Sequence, residues 1–349
     1  MTHVDTPSAL DRAVACYAAM QRHFYDARRK LYREPGGGPG GFAFLWPFSQ
    51  ALAATVDLVA LPLVRDRYLP DLADRLDGLE RYWNPDSRPP AYDSGVRSWR
   101  AGGGDQFYDD NEWVGLALAR AYQLTWDAAA IQRAWDVFEF VISGWDDDAS
   151  HASPGGVRWT RADWNQDRNT VSTAPGALLA LRLHEIHGEE RYLDWARRMY
   201  DWVRSTLRSP EGLYWDHIDP AGKIEETYWS YNQGTMIGAG VLLHRATGEA
   251  RYLEEAQETA DAALDYYARE DRLDAQRPAF NAIFFENLLL LDAEAADPRY
   301  RRTLRNYAER TWAKQRDTET NLFTFDPGRP PELLHQAAMV RLFALLASD

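Results

Sequence analysis

Val171-Ser172-Thr173-Ala174-Pro175-Gly176-Ala177-Leu178-Leu179-Ala180-Leu181-Arg182-Leu183 is the stretch on which the reading of the fold turns. Arg182 is its one charge, so a helix made from it has no polar face and must be enclosed by other elements. The segment that follows is of the opposite kind. Over residues 191–207, Tyr192, Trp195, Met199 and Val203 share one side, while Asp194, Arg197, Arg198, Asp201 and Arg204 occupy the rest. That spacing predicts an amphipathic helix, with one face on the enclosed helix and the other in water.

The same alternation runs through the chain. Residues 48–64, 113–124, 171–187, 236–246, 279–292 and 333–347 are apolar nearly all round. Between them lie amphipathic segments, such as Tyr252, Ala256, Ala260, Ala263 and Tyr267 opposed to Glu254, Glu255, Glu258 and Asp261. Arg67-Tyr68-Leu69, Arg191-Tyr192-Leu193 and Arg251-Tyr252-Leu253 open three of these segments, and Pro298-Arg299-Tyr300 is a looser copy. Gln50, Asn111 and Ser172 recur at steps of 61, and Asn232 follows 60 later. Two helices and two connections fit that period. With residues 11–32 as a first outer helix, six inner and six outer helices close into an all-α (α/α)6 barrel. Strand signals are sparse, and residues 1–349 read as one domain.

The 349 residues are 45% hydrophobic, which suffices for a large core. A net charge of -14 without a basic stripe argues against nucleic acid and anionic membrane surfaces as partners. No run approaches a membrane span; even residues 283–291 are broken by Glu286 and Asn287. Cys16 is the sole cysteine, so neither an internal disulfide nor a thiolate metal cluster is expected, and nothing calls for a metal or cofactor. Met1-Thr2-His3-Val4-Asp5 shows no basic stretch leading into an apolar core, so a cytoplasmic protein is expected.

Chemistry concentrates in Tyr108-Asp109-Asp110-Asn111-Glu112-Trp113, between Gly102-Gly103-Gly104 and an apolar segment. Glycosidic cleavage needs one protonated and one ionised carboxyl group. Adjacent carboxylates divide those roles readily, since like charges resist ionising together. Asp-Asp before a helix also serves simply as an N-cap and first turn. Its place at the start of an inner helix, where the loops 84–107, 145–170 and 208–230 gather, favours a cleft. Tyr108, Asn111, Trp113, Trp159 and Tyr231 are counted as substrate-binding candidates. Asn169, Thr170, Asn232 and Gln233 sit at helix starts, where capping and hydroxyl recognition are equally expected. Asp216 lies in a loop and is assigned to ligand contact. Trp46, Trp99, Trp159, Trp164 and Trp229 are read as loop aromatics, with about two of the five expected to be sugar platforms. Asp93 and Asp105 read as ordinary loop acids, and Asp146-Asp147-Asp148 as a solvated turn. His184, His187 and His244 fall at the far ends of their helices; His335 is near enough to a helix start to reach the site.

Tyr108–113, followed by Leu116-Ala117-Leu118 and Ala121-Tyr122, resembles the Asp-Asp helix of glycoside hydrolase family 76, the α-1,6-mannanases. Three further stretches are similar to that family's segments in order and character. They are Gly155-Gly156-Val157-Arg158-Trp159 with Arg168-Asn169-Thr170-Val171-Ser172, then Gly212-Leu213-Tyr214-Trp215-Asp216-His217-Ile218, then Tyr228-Trp229-Ser230-Tyr231-Asn232-Gln233-Gly234. The match spans roughly residues 40–270, the four motifs lying in register with the inferred helices. The resemblance implies an endo-acting, retaining hydrolase of α-1,6-linked mannan or mannooligosaccharides, with Asp109 as nucleophile and Asp110 as general acid/base. Val114 stands where the family commonly has a second tryptophan. The alternatives are a histidine-based amino-sugar epimerase, an unsaturated-uronide hydrolase and a non-catalytic carbohydrate-binding barrel. The last has no need of two adjacent carboxylates.

Overall fold

From Thr170 to Leu183 every residue except Arg182 is buried, as a helix without a polar face requires. In this computed structural model, which describes residues 7–98 and 102–348, that stretch belongs to a ring of six inner helices. They are α2 (Leu45–Ala60), α4 (Tyr108–Thr125), α6 (Thr170–His187), α8 (Ser230–Thr247), α10 (Pro278–Asp292) and α12 (Leu333–Ala347). Each packs against the next, and α12 returns to α2, so the ring closes. Outside it lie α1 (Ala9–Phe24), α3 (Arg65–Leu79), α5 (Ala128–Ser143), α7 (Glu190–Leu207), α9 (Ala250–Tyr267) and α11 (Pro298–Lys314). In α7, Tyr192, Ala196, Met199 and Val203 are buried while Arg197, Asp201 and Arg204 face outward. The (α/α)6 barrel expected from the alternation is the observed architecture. Among the described residues no helix is long and apolar enough to cross a membrane.

The 60-residue period has a physical content: polar side chains at the inner-helix starts clamp the backbone of the preceding segment. Asn111 accepts from the Tyr92 N–H at 2.8 Å and donates to the Tyr92 carbonyl at 3.0 Å. Gln233 does the same for Tyr214, at 2.8 and 2.9 Å. On α6 the task is split, Thr173 Oγ1 accepting from Val157 N and Ser172 Oγ donating to Val157 O. Each clamp satisfies backbone groups that burial would otherwise leave unpaired. Helix ends repeat as well. Gly188 and Gly248, at φ 70° and 74°, close α6 and α8 in the left-handed conformation that glycine tolerates best.

Two helices differ in extent from the sequence reading. The first outer helix stops at Phe24, and Tyr25–Asp26 (β1) pairs antiparallel with Leu31–Tyr32 (β2). Lys30 reverses the chain at φ 57°, and Arg75 lies 3.6 Å over the Tyr25 ring, drawing the hairpin onto α3. Helix α2 starts at Leu45 and ends at Ala60, because Pro62 disfavours a helical conformation at Leu61. Further two-residue strands are β3 (Trp83–Asn84), β4 (Ala91–Tyr92), β5 (Arg168–Asn169), β6 (His217–Ile218) and β7 (Ile224–Glu225). The last three form one antiparallel sheet, with Asn169 opposite His217 and His217 opposite Glu225.

On the barrel axis a small cluster of Trp113, Val171, Tyr231 and Ile283 stands apart from the main core. It separates a cleft at the N-terminal ends of the inner helices from a chamber toward their other ends, and Trp113 borders both. In that chamber buried Arg341 donates to Asp57 and Gln50 at 3.1 and 2.6 Å and pairs with Glu286. The charges there are internally matched.

Candidate active site

Asp109 and Asp110 occupy the first turn of α4, beneath a cleft of about 470 Å³. Trp46, Phe107, Trp113, Trp159, Tyr231 and Phe280 give it aromatic walls, and Asn165, Asp167, Asn169, Asp216 and His217 add a polar side. Asp109 accepts two hydrogen bonds, from Trp159 Nε1 to Oδ2 at 3.2 Å and from the Asp110 backbone N–H to Oδ1 at 2.9 Å. Enclosure nonetheless lifts its pKa to about 7, against the pull of those donors, and the charge of Asp216 adds to the rise. Asp110 accepts no such bond among the described residues. Burial first, and then the neighbouring Asp109 charge, push it well above the usual carboxylate range. The pair is therefore divided: Asp109 ionises first and Asp110 keeps its proton.

Glu112, one turn along, is fully buried, and neither of its carboxyl oxygens has a hydrogen-bond partner among the described residues. Its Oε1 lies toward Gly176, where a Cβ would come within 3.0 Å of it. Burial and the Asp109 charge hold it neutral. Across the cleft, His217 Nδ1 donates to Asp216 Oδ2 at 3.0 Å, and Asn165 Nδ2 donates to Asp167 Oδ2 at 2.7 Å. Asn169 is buried, its Oδ1 without a partner among the described residues, while its side chain borders the cleft.

Of the residues singled out from the sequence, Asp109, Asp110, Trp113, Trp159, Asn169, Asp216 and Tyr231 border the cleft. Five candidates do not. Tyr108 turns outward and stacks on Phe140 of α5, centroids 4.4 Å apart. Asn111 and Gln233 are consumed by their backbone clamps. Thr170 donates to the Trp215 carbonyl at 2.6 Å. Asn232 is wholly buried and does not line the cleft. Of the five tryptophans, Trp46 and Trp159 border the cleft, although Trp46 is helical, in the first turn of α2. Trp164 sits outside on the Trp159 edge, Trp229 packs on Phe280, and Trp99 lies outside the described residues. His335 does not reach the site; it is buried against Phe325. Nor is Asp146 solvated: it is buried among Arg168, Arg158 and His151 and anchors the loop that carries Trp159. Asp93 is likewise buried, accepting from Asn84 and Gln106. Phe107, Asn165, Asp167, Val171, His217 and Phe280 were missed as site residues. The position of His217 beside Asp216 in its motif was the available signal.

Two carboxyl groups with divided protonation, under aromatic rings at one end of an (α/α)6 barrel, define a sugar-processing barrel. The chain belongs to glycosyl hydrolase family 76, whose model matches residues 8–332. Over 171 residues it is 28% identical to a mannan endo-1,6-alpha-mannosidase of Candida glabrata, covering 46% of this chain and 34% of that protein. The corresponding protein of Saccharomyces cerevisiae is 29% identical over 174 residues, 46% of this chain and 38% of its own length. The chain thus spans little more than a third of the curated relatives it matches. Whole-length likeness is found among solved structures. A family 76 mannosidase of Bacteroides thetaiotaomicron VPI-5482 superposes with a TM-score of 0.85 at 26% identity, covering 97% of this chain and 98% of that one. An inactive variant of an α-1,6-mannanase of Salegentibacter sp. HEL1_6, bound to α-1,6-mannotriose and with two consecutive aspartates replaced by asparagine, gives 0.80 at 25% identity, covering 98% and 99%.

Proposed function

We propose that the protein is a retaining glycoside hydrolase that cleaves α-1,6-mannosidic bonds within mannan or mannooligosaccharides. The observation that carries the reading is the divided pair: Asp109, which two donors help to ionise, beside Asp110, which burial and its neighbour keep protonated. Ionised Asp109 attacks the anomeric carbon as protonated Asp110 gives its proton to the departing sugar oxygen, forming a mannosyl–Asp109 ester. Asp110, now a base, takes a proton from water, and that water releases the bound mannosyl chain with its original configuration. Retaining enzymes hold their carboxyl groups about 5–5.5 Å apart, a separation that adjacent residues in one turn reach readily. Trp46, Trp159 and Phe280 offer apolar faces to pyranose rings, and Asn169, Asp216 and His217 offer partners to hydroxyl groups. The substrate class is supported by the names of the yeast relatives and by the mannotriose bound to the Salegentibacter enzyme.

Linear α-1,6-mannooligosaccharides of increasing length test this. A ladder of internal products is expected. Release of single mannose alone would make the action exo, and no turnover would remove the proposal.

A further inference from the structure

Among the described residues His217 is the one histidine on the cleft, and no lysine or arginine borders it. Four carboxyl groups do: Asp109, Asp110, Asp167 and Asp216. The imidazole stands between two of them, Nδ1 at 3.0 Å from Asp216 Oδ2 and Nε2 at 3.7 Å from Asp167 Oδ2. Strand pairing fixes this position, since His217 lies opposite Asn169 of β5 on one side and Glu225 of β7 on the other. Acids thus face the ring from each neighbouring segment: Asp216 beside it, Asp167 from the lead into β5, and Glu225 from β7. Together, the Asp216 bond foremost, they raise its pKa above that of an ordinary histidine. The charge of Asp216 also acts on Asp109, whose other acidic neighbours, Asp110 and Glu112, hold their protons.

We propose that His217 is a positioning residue whose imidazolium cancels the charge of Asp216, which lines the same cleft as Asp109, and so sets the pH at which the nucleophile ionises. The inference rests on the reading of Asp109 as nucleophile. Without the imidazolium, Asp216 presents a bare negative charge, and a nearby like charge opposes ionisation of a second carboxylate. Asp109 then stays protonated, and unable to attack, to a higher pH. His217 touches no reacting atom in this account; it acts through Asp216.

The test follows kcat/KM against pH on an aryl α-mannoside whose leaving group needs no proton from Asp110, so that the acidic limb reports Asp109. In His217→Gln the limb should move up by about half to one pH unit, a loss of roughly 3–10-fold on the acid side that fades as pH rises. In the double variant His217→Gln/Asp216→Asn the uncompensated charge is gone, and the limb should return to or below its wild-type position. The same titration read by carboxyl carbon-13 NMR of aspartate-labelled protein, with the Asp109 signal assigned by its loss in Asp109→Asn, does not depend on turnover. An equal loss at every pH with the Asp109 midpoint unmoved would overturn the inference, as would a double variant that keeps the upward shift. A wild type inactive on mannosides would remove the functional reading alone, and the NMR midpoints would still decide the role of His217.

Discussion

The indole Nε1 of Trp159 donates to Oδ2 of Asp109 across 3.2 Å, while the backbone carbonyl of Trp159 accepts from the Tyr108 N–H at 2.9 Å. One residue of the 145–170 loop therefore holds the first turn of α4 by its backbone and Asp109, the proposed nucleophile, by its side chain. The loop in turn is anchored from within by buried Asp146 and Arg168.

Trp159→Phe keeps an aromatic wall and removes the donor. Hydrogen bonds to charged groups contribute about 1.5–3 kcal/mol, so kcat/KM should fall roughly 10–100-fold. The lost donor favoured the ionised form of Asp109, so the acidic limb of the pH profile should also move upward. Steady-state rates across pH check both; a fall with the limb in place would make Trp159 a platform only.

Glu112 should depress stability as pH rises. It is neutral in the folded protein and ionised in the unfolded chain above its ordinary pKa, so between those two values the unfolded state binds fewer protons and stability declines. Asp110 shares this sign. Glu112→Leu removes two buried oxygens without partners and should stabilise the fold by about 1–3 kcal/mol near pH 8, and by less near pH 4. Urea unfolding at the two pH values measures the difference.

The amides at the helix starts should separate by phenotype. Gln233→Leu strips partners from the Tyr214 N–H and carbonyl and from the Trp229 carbonyl, and should cost about 2–4 kcal/mol of stability. Asn169→Ala should leave stability nearly unchanged, since its Oδ1 has no partner to lose, and raise KM on mannooligosaccharides by roughly 10-fold. Denaturant midpoints beside Michaelis curves distinguish the two.

That contrast shows where the sequence stopped informing. Inner helices were legible because enclosure demands apolar residues on every side, as in α6, and outer ones because they are polar on one side only. The hairpin of Tyr25 and Tyr32 was hidden, since apolar residues there satisfy a helix period as well as packing against Arg75. Within the site, a buried amide that clamps backbone and one that faces a sugar are the same residue type. A rotation of about 100° between consecutive helix residues separates Tyr108, turned onto Phe140, from Asp109, turned into the cleft. Asp167, His217 and Phe280 come together only when three distant segments meet. The acidic run at Asp146 resembled a solvated turn because the arginines that bury it, Arg158 and Arg168, are 12 and 22 residues away in sequence.

The division of labour between Asp109 and Asp110 is the central claim, and azide rescue tests it most directly. Asp109→Asn should be inactive on every mannoside, because no glycosyl–enzyme ester can form. Asp110→Asn should be nearly inactive on mannan yet still form that ester from an aryl α-mannoside with a good leaving group. Azide, which needs no general base, should then accelerate Asp110→Asn and yield the α-mannosyl azide, identified by proton NMR. Rescue of Asp109→Asn to the α-azide instead would exchange the two roles, and a β-azide from Asp110→Asn, or no rescue of that variant, would contradict the assignment.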